Sequence, residues 1–307
     1  MDSHWVLSTL LFSAGAAALL LMLMWPTRYS GKRLLQRWGS AEPTAQQIAE
    51  AVRYLRQRRI LYVVLFAIVP AVVAVIWPPP NGANPPGSNI LVPLIAAMLI
   101  AELIAVLRPV RGVRVASLDR RGWRDLVPTW AVVVTAVLTA WAVTLVVMGL
   151  AAQPWADRYA AGYPPPSKSD LEAGEIDPRA DLVHPTGWLT LGGVVVCLVV
   201  LGVLVFLAVR RPSGADAEVD RALRTRTARV AIGIGFILLA GLVNDGQRRL
   251  VFLQGVSDAY RAPARPGWLT EGLHQTVEIV GFATLVGAIV CWLWLAMPSR
   301  KSLAHVG

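Results

Sequence analysis

Long apolar runs constrain this chain most, because each of them has the length of a membrane-crossing helix. A bilayer core about 30 Å thick needs about 20 helical residues, and seven segments approach that length. The sixth is irregular, since its apolar run meets Asn244 and Asp245 and must either continue through them or end as a partial span. The predicted spans are 5–25, 60–77, 89–107, 128–150, 188–209, 230–252 and 274–296.

Composition supports the same fold class. Over 307 residues, 55% are hydrophobic and only 16% are charged, which leaves too much apolar surface for a soluble domain to bury. We therefore expect an all-α integral membrane protein with a single transmembrane domain over residues 1–307. Segment 5–25 lacks a basic region before it and is expected to stay as a membrane anchor.

Basic residues fall in short blocks between the apolar runs and predict the topology. Segments 26–59, 108–127, 210–229 and 297–307 hold 22 of the 29 Lys and Arg residues. By the positive-inside rule these segments are cytoplasmic, so the N-terminus lies outside and the C-terminus inside. The acidic segment 151–187 is then an extracytoplasmic loop.

The same charge pattern bears on partners. A formal net charge of +10 would suggest nucleic acid in a soluble protein, but the block pattern makes it a topology signal and predicts no nucleic-acid partner. The cytoplasmic Arg clusters are expected to contact anionic headgroups of the lipid bilayer. An Ala-, Val- and Arg-rich composition is typical of a high-GC bacterial genome, which predicts a multi-pass protein of the plasma membrane.

A nine-residue pattern, E-x-x-R-x-L-R-x-R, occurs at 50–58 and again at 218–226. Both copies precede apolar runs, so spans two and six are predicted to begin as cytoplasmic helices. A true repeat would make spans one to three and five to seven parallel halves, a 3+1+3 plan. Alternatively, Arg-rich segments beside a membrane resemble one another because the positive-inside rule demands it. Each copy follows a signal resembling a capping box, Thr44 with Gln47 and Ser213 with Asp216.

Two acids stand within apolar runs, Glu102 near the cytoplasmic end of span three and Glu278 near the outer end of span seven. An ionisable side chain in a membrane is costly and normally faces protein or a water-filled cavity. Both are therefore candidates for a proton or cation pathway. The alternative is that each reaches headgroup water or bonds a neighbouring helix.

A polar pocket is predicted between the outer ends of spans six and seven. Residues 271, 274, 275 and 278 share one helical face, and the polar stretch 244–249 of span six lies nearby in the topology. The simplest pairing joins Arg248 or Arg249 to Glu278. The ligand or proton pathway candidates are Glu102, Glu278, His274, Asp245, Asn244, Arg248 and Arg249.

Motifs for enzymatic chemistry are absent from the sequence. It contains no Walker A loop, no G-x-S-x-G elbow and no H-E-x-x-H helix. Glu271 with His274 supplies only half of a di-iron pattern, and the two cysteines, Cys197 and Cys291, form no CxxC motif. We therefore expect no enzyme, no catalytic residue, no metal and no cofactor.

Two function classes remain. A transporter or permease-type protein with a site between helices is favoured by the repeat, the membrane acids and Pro70 and Pro93, where helices could break. The alternative is a non-transporting scaffold or accessory subunit, which needs only small-residue packing surfaces such as Gly233, Gly235 and Gly281 provide. Assembly with a second copy or with another membrane subunit stays open.

Overall fold

Seven α-helices and one 3-10 turn, Trp123–Asp125, form the part of the chain that the computed structural model describes, and this part contains no β-strand. The described residues are 15, 25–38, 42–76, 91–107, 122–162, 182, 186–210, 217–255 and 266–296. The helices are α1 (Arg28–Trp38), α2 (Ala45–Ile76), α3 (Leu91–Leu107), α4 (Thr129–Gly162), α5 (Thr186–Arg210), α6 (Ala217–Gly255) and α7 (Glu271–Ala296).

Four of these helices, α4 to α7, are long and apolar enough to cross a membrane. The expectation of an all-α fold is therefore confirmed for the described residues, and these four helices are consistent with a membrane protein. The count of seven spans stays a prediction, because segment 5–25 falls almost entirely outside the described residues and α3 has only 17 residues. Helix α2 does continue from a basic first half into the apolar segment predicted as span two.

Helix α6 passes through the polar stretch at Asn244 and Asp245. It runs without interruption from Ala217 to Gly255, so the apolar run does not end as a partial helix. It is also the central helix: 61% of its most apolar stretch is buried, against 17–28% in α4, α5 and α7. Polar side chains on α6 therefore have more opportunity to meet other helices than those of its neighbours.

Helix α4 is longer than the sequence predicts. The apolar run predicts an end at residue 150, but the helix continues to Gly162 through Pro154, so the first part of the predicted loop 151–187 is helical. Trp155 and Tyr159 of this extension are buried with Leu182 and Leu253 in a small core of their own. Burial of two large aromatic side chains stabilises the added turns.

Glycines allow three close helix contacts. A Cβ atom on Gly233 would clash with Trp292, one on Gly235 would lie 2.5 Å from Leu201, and one on Gly281 would clash with Gln247. Such close approach requires the absence of a side chain. The interpretation of these glycines as packing positions agrees with these contacts.

The two copies of the nine-residue pattern meet in one cluster. Ala51 and Leu55 of the first copy pack with the equivalent residues of the second, Val219 and Leu223, and residues of α1 complete the cluster. Two segments that are 168 residues apart in the sequence therefore lie side by side. The parallel repeat of spans one to three and five to seven stays a prediction.

The capping box predicted at the start of α2 is present. The backbone N–H of Thr44 donates to Gln47 Oε1 at 2.8 Å, and the backbone N–H of Gln47 donates to Thr44 Oγ1 at 3.3 Å. These bonds satisfy two donors that the first turn of a helix leaves free. The cap predicted at Ser213 with Asp216 lies outside the described residues.

Candidate functional site

A buried ion pair joins α2 to α3. Arg58 Nη1 donates to Glu102 Oε1 at 2.7 Å and lies 2.5 Å from Oε2. The two side chains are only 2% and 0% exposed, and the Tyr62 hydroxyl also donates to the same carboxylate. Burying either charge without its counterion costs much free energy. Each of the two buried charges is therefore stabilised by the other. Glu102 therefore bonds a neighbouring helix, which is the alternative that the sequence left open.

The same arginine reaches α6. Arg58 Nη2 donates to Thr227 Oγ1 at 2.8 Å, and that hydroxyl donates to the Leu223 carbonyl of its own helix. The Tyr54 hydroxyl lies 3.1 Å from Thr227 Oγ1, and the Tyr54 ring centroid lies 4.7 Å from the Arg58 guanidinium. This group ties three helices together through one guanidinium. We call it the Glu102 cluster, and its members are Tyr54, Arg58, Tyr62, Glu102 and Thr227.

Arg58 was not among the residues predicted from the sequence, although Glu102 was. The missed signal was its position, since Arg58 closes the first copy of the E-x-x-R-x-L-R-x-R pattern and stands just before an apolar run. An arginine there was assigned to the headgroup region. The planar guanidinium can bond a carboxylate and a hydroxyl at once, so it suits an acid inside the membrane.

A second polar centre lies where α4 and α6 meet residue 182. Arg249 Nη2 donates to the Leu182 carbonyl at 2.6 Å and to Gln153 Oε1 at 3.0 Å. The Gln153 amide in turn donates to Asp157 Oδ1 at 2.8 Å and to the Leu182 carbonyl at 3.1 Å. The Arg249 guanidinium, the Gln153 amide and the Leu182 carbonyl thus form one hydrogen-bonded group.

A cleft of about 270 Å³ opens beside this centre, between α4, α5 and α6. We call it the Arg249 cleft. Among the described residues, its charged lining groups are the carboxylates of Asp157 and Asp245 and the Arg249 guanidinium, so acids outnumber bases. Its other lining residues are Leu145, Val146, Gly149, Leu150, Gln153, Gly187, Trp188, Thr190 and Gly246.

The candidates predicted on α6 are divided between the cleft and the surface. Asp245 and Arg249 line the cleft together, and Asn244 is half-buried next to Asp245 in the sequence. Arg248 is exposed. The structure therefore brings together two of the four polar candidates of this helix.

The candidates predicted on α7 are Glu278 and His274. Glu278 is exposed, and the side chain of His274 lies outside what the structure describes. Where the sequence predicts a polar pocket between spans six and seven, the Gln247 amide donates to the Val277 carbonyl at 2.9 Å across a close helix contact. The pairing of Arg248 or Arg249 with Glu278 stays a prediction.

The residues that α4 contributes to the cleft were not predicted from the sequence. Gln153 and Asp157 were assigned to an extracytoplasmic loop, because the apolar run of span four ends at 150. Their spacing of four places them on one helical face, which would have indicated a continuing helix.

Possible metal-ligating side chains and both cysteines also lie among the described residues. No three His, Cys, Asp or Glu side chains come together there as metal ligands. Cys197 is buried and Cys291 is half-buried, and both are free thiols.

No protein-family model, no curated protein and no solved structure matches this chain. Function therefore has to be inferred from the residues and from their geometry.

Proposed function

We propose that this chain is a transporter or permease-type protein of the plasma membrane, with its solute site in the Arg249 cleft. One observation carries the proposal: two carboxylates and one guanidinium, from α4 and α6, line a cleft between helices that are long and apolar enough to cross a membrane. Asp245 and Arg249 fall within the predicted span 230–252, and charged side chains inside a membrane typically mark substrate or ion pathways.

The lining chemistry favours a small solute that carries a positive charge. The cleft volume of about 270 Å³ lies at the lower end of ligand pockets. Asp157 and Asp245 would attract an ammonium group, whereas Arg249 would meet a carboxylate or another acceptor on the same molecule. A small amine or a zwitterion such as an amino acid fits this arrangement best.

The competing proposal is a scaffold or accessory subunit that transports nothing. The observation that favours it is the outward face of α7, where Ile279, Phe282 and Trp294 are 70%, 73% and 67% exposed. Lipid would cover such a face, and so would a partner helix. Ligand binding at the cleft separates the two proposals, since a scaffold has no need of a solute.

A thermal-shift screen of the purified protein in detergent tests the transport proposal. Small amines, amino acids and organic anions are compared at constant ionic strength, because a ligand that binds the native state raises Tm. We expect an amine or zwitterion to raise Tm in the wild type but not in Asp245→Asn. Asp125→Asn, an exposed change on the 3-10 turn, serves as the control and should retain the shift.

Reconstitution then separates transport from binding alone. Wild-type protein in sealed vesicles should take up the ligand that raised Tm, and Asp245→Asn should reduce this uptake. Binding without uptake would contradict the transport proposal. Failure of every solute to raise Tm would favour the scaffold.

A further inference from the structure

Two arginines beside the Glu102 cluster lie close together, and each has an unsatisfied donor. Arg59 of α2 and Arg226 of α6 each have a buried Nη1 that makes no hydrogen bond within the described part of the chain. Arg58 precedes Arg59 and Thr227 follows Arg226 in the sequence. Because Arg58 donates to Thr227, the two arginines also lie near each other. A buried guanidinium N–H without an acceptor is costly, so two at one place need a common explanation.

The positive charges at this place repel each other. Burial and the neighbouring Arg226 guanidinium lower the pKa of Arg59, as expected for a desolvated cation beside a like charge. Arg226 also lies over the Tyr54 ring, 5.9 Å from its centroid. The buried carboxylates among the described residues, Glu102 and Asp220, form ion pairs with other arginines.

We propose that Arg59 and Arg226 form a binding site for one phosphate group, either the headgroup phosphate of an anionic lipid or a free phosphate. A phosphate offers several acceptor oxygens and negative charge, which would satisfy both guanidinium groups and offset their repulsion. The predicted topology places the site at the cytoplasmic side of α2 and α6, where anionic headgroups lie. It is separate from the Arg249 cleft and does not depend on the function proposed there.

The proposal is tested by titrating the purified, delipidated full chain in detergent and recording Tm. The probes are inorganic phosphate, dihexanoyl phosphatidic acid and, as a neutral comparison, dihexanoyl phosphatidylcholine, all at constant ionic strength. We expect inorganic phosphate, phosphatidic acid or both to raise Tm with saturation. A shift with inorganic phosphate identifies a soluble source, and a shift with phosphatidic acid alone identifies a lipid. Equal shifts with phosphatidylcholine, or no shift with any probe, would overturn the proposal.

Matched arginine variants locate the site. Arg59→Gln and Arg226→Gln should each weaken binding about tenfold or more, because a charge-assisted contact is lost. Arg53→Gln and Arg221→Gln change exposed arginines on the same two helices and should alter the Kd less than about twofold. Similar losses in all four variants would indicate diffuse attraction and would contradict a defined site.

Stability of the ligand-free variants gives an independent readout. Removing one of two like charges relieves repulsion, so Arg59→Gln and Arg226→Gln should melt no lower than the wild type without phosphate. If either variant does not fold, Arg59→Lys and Arg226→Lys are used to test phosphate binding instead. Each lysine keeps the positive charge and loses the planar guanidinium that can bind two phosphate oxygens. Lysine variants that bind phosphate as the wild type does would overturn the proposal.

Discussion

The Glu102 cluster and the Arg249 cleft both place an arginine against other helices of the bundle, but the groups around the two arginines differ. Arg58 meets the Glu102 carboxylate within a site that is almost wholly buried. Arg249 donates to an amide and a backbone carbonyl, beside a cleft with two carboxylates. The first arrangement holds helices together, whereas the second leaves charged groups beside an open cleft.

An acid in an apolar run therefore does not by itself mark a pathway. Glu102 is a pathway candidate in the sequence because it stands alone in span three, yet Arg58 and Tyr62 bond its carboxylate. Asp245 stands out only as an interruption of span six, yet it lines the cleft. The partners of a charge decide its role, and those partners come from distant parts of the sequence.

The largest expected effect tests the structural role of the Glu102 cluster. Glu102→Gln should lower the free energy of unfolding by about 3 kcal/mol or more, because Arg58 keeps its charge in a buried site without that counterion. Reversible unfolding in mixed micelles measures this effect. The control is Glu50→Gln, an exposed change on α2, and an equal response of the two variants would contradict the structural role.

A double substitution sharpens the same test. Arg58→Met together with Glu102→Leu should recover much of the lost stability, because replacing both buried charges removes the unpaired group. The free energy of unfolding of the double variant is compared with those of both single variants. Additive losses from the two changes would show that the pair does not act as a unit.

Arg249 should matter less to stability. Arg249→Met removes the donor that the Gln153 and Leu182 oxygens share, and we expect a loss of about 2 kcal/mol, as for hydrogen bonds that involve one charged group. The same unfolding assay measures it, with Arg248→Met as the exposed control on the same helix. A loss as large as that of Glu102→Gln would remove the distinction between the two centres.

Part of the fold could be predicted from the sequence because apolar length and helix-capping signals act locally. Apolar length identified the helices α4 to α7, and the Thr-x-x-Gln signal identified the capping box of Thr44 with Gln47. These signals did not predict the extension of α4 past residue 150. That extension depends on tertiary packing, because Trp155 is buried against Leu182 and Leu253.

The candidate site was predicted only in part for the same reason. Asp245 and Arg249 were found because polar residues in an apolar run stand out in the sequence. Gln153 and Asp157 come from a segment that was assigned to a loop, and Gln153 reaches the site through its contact with Arg249. Pairwise contacts between segments that are distant in the sequence leave no local pattern.

Asp245→Asn separates stability from binding. The Asp245 carboxylate lies beside the cleft and is half-buried, so we expect the free energy of unfolding to change by less than about 1 kcal/mol. The Tm increase caused by an amine or zwitterion should nevertheless be lost. A large stability loss would instead place Asp245 with Glu102 among the residues that hold helices together.

The smallest effect is expected at Glu278, the other acid that stands within an apolar run. It is exposed on α7, so Glu278→Gln should change the free energy of unfolding by no more than about 0.5 kcal/mol. Glu278→Cys, made in a Cys291→Ser background, should react with a membrane-impermeant maleimide added from outside if the predicted topology holds. Labelling from the inside alone would reverse the topology, and folded protein that labels from neither side would contradict the exposure of this position.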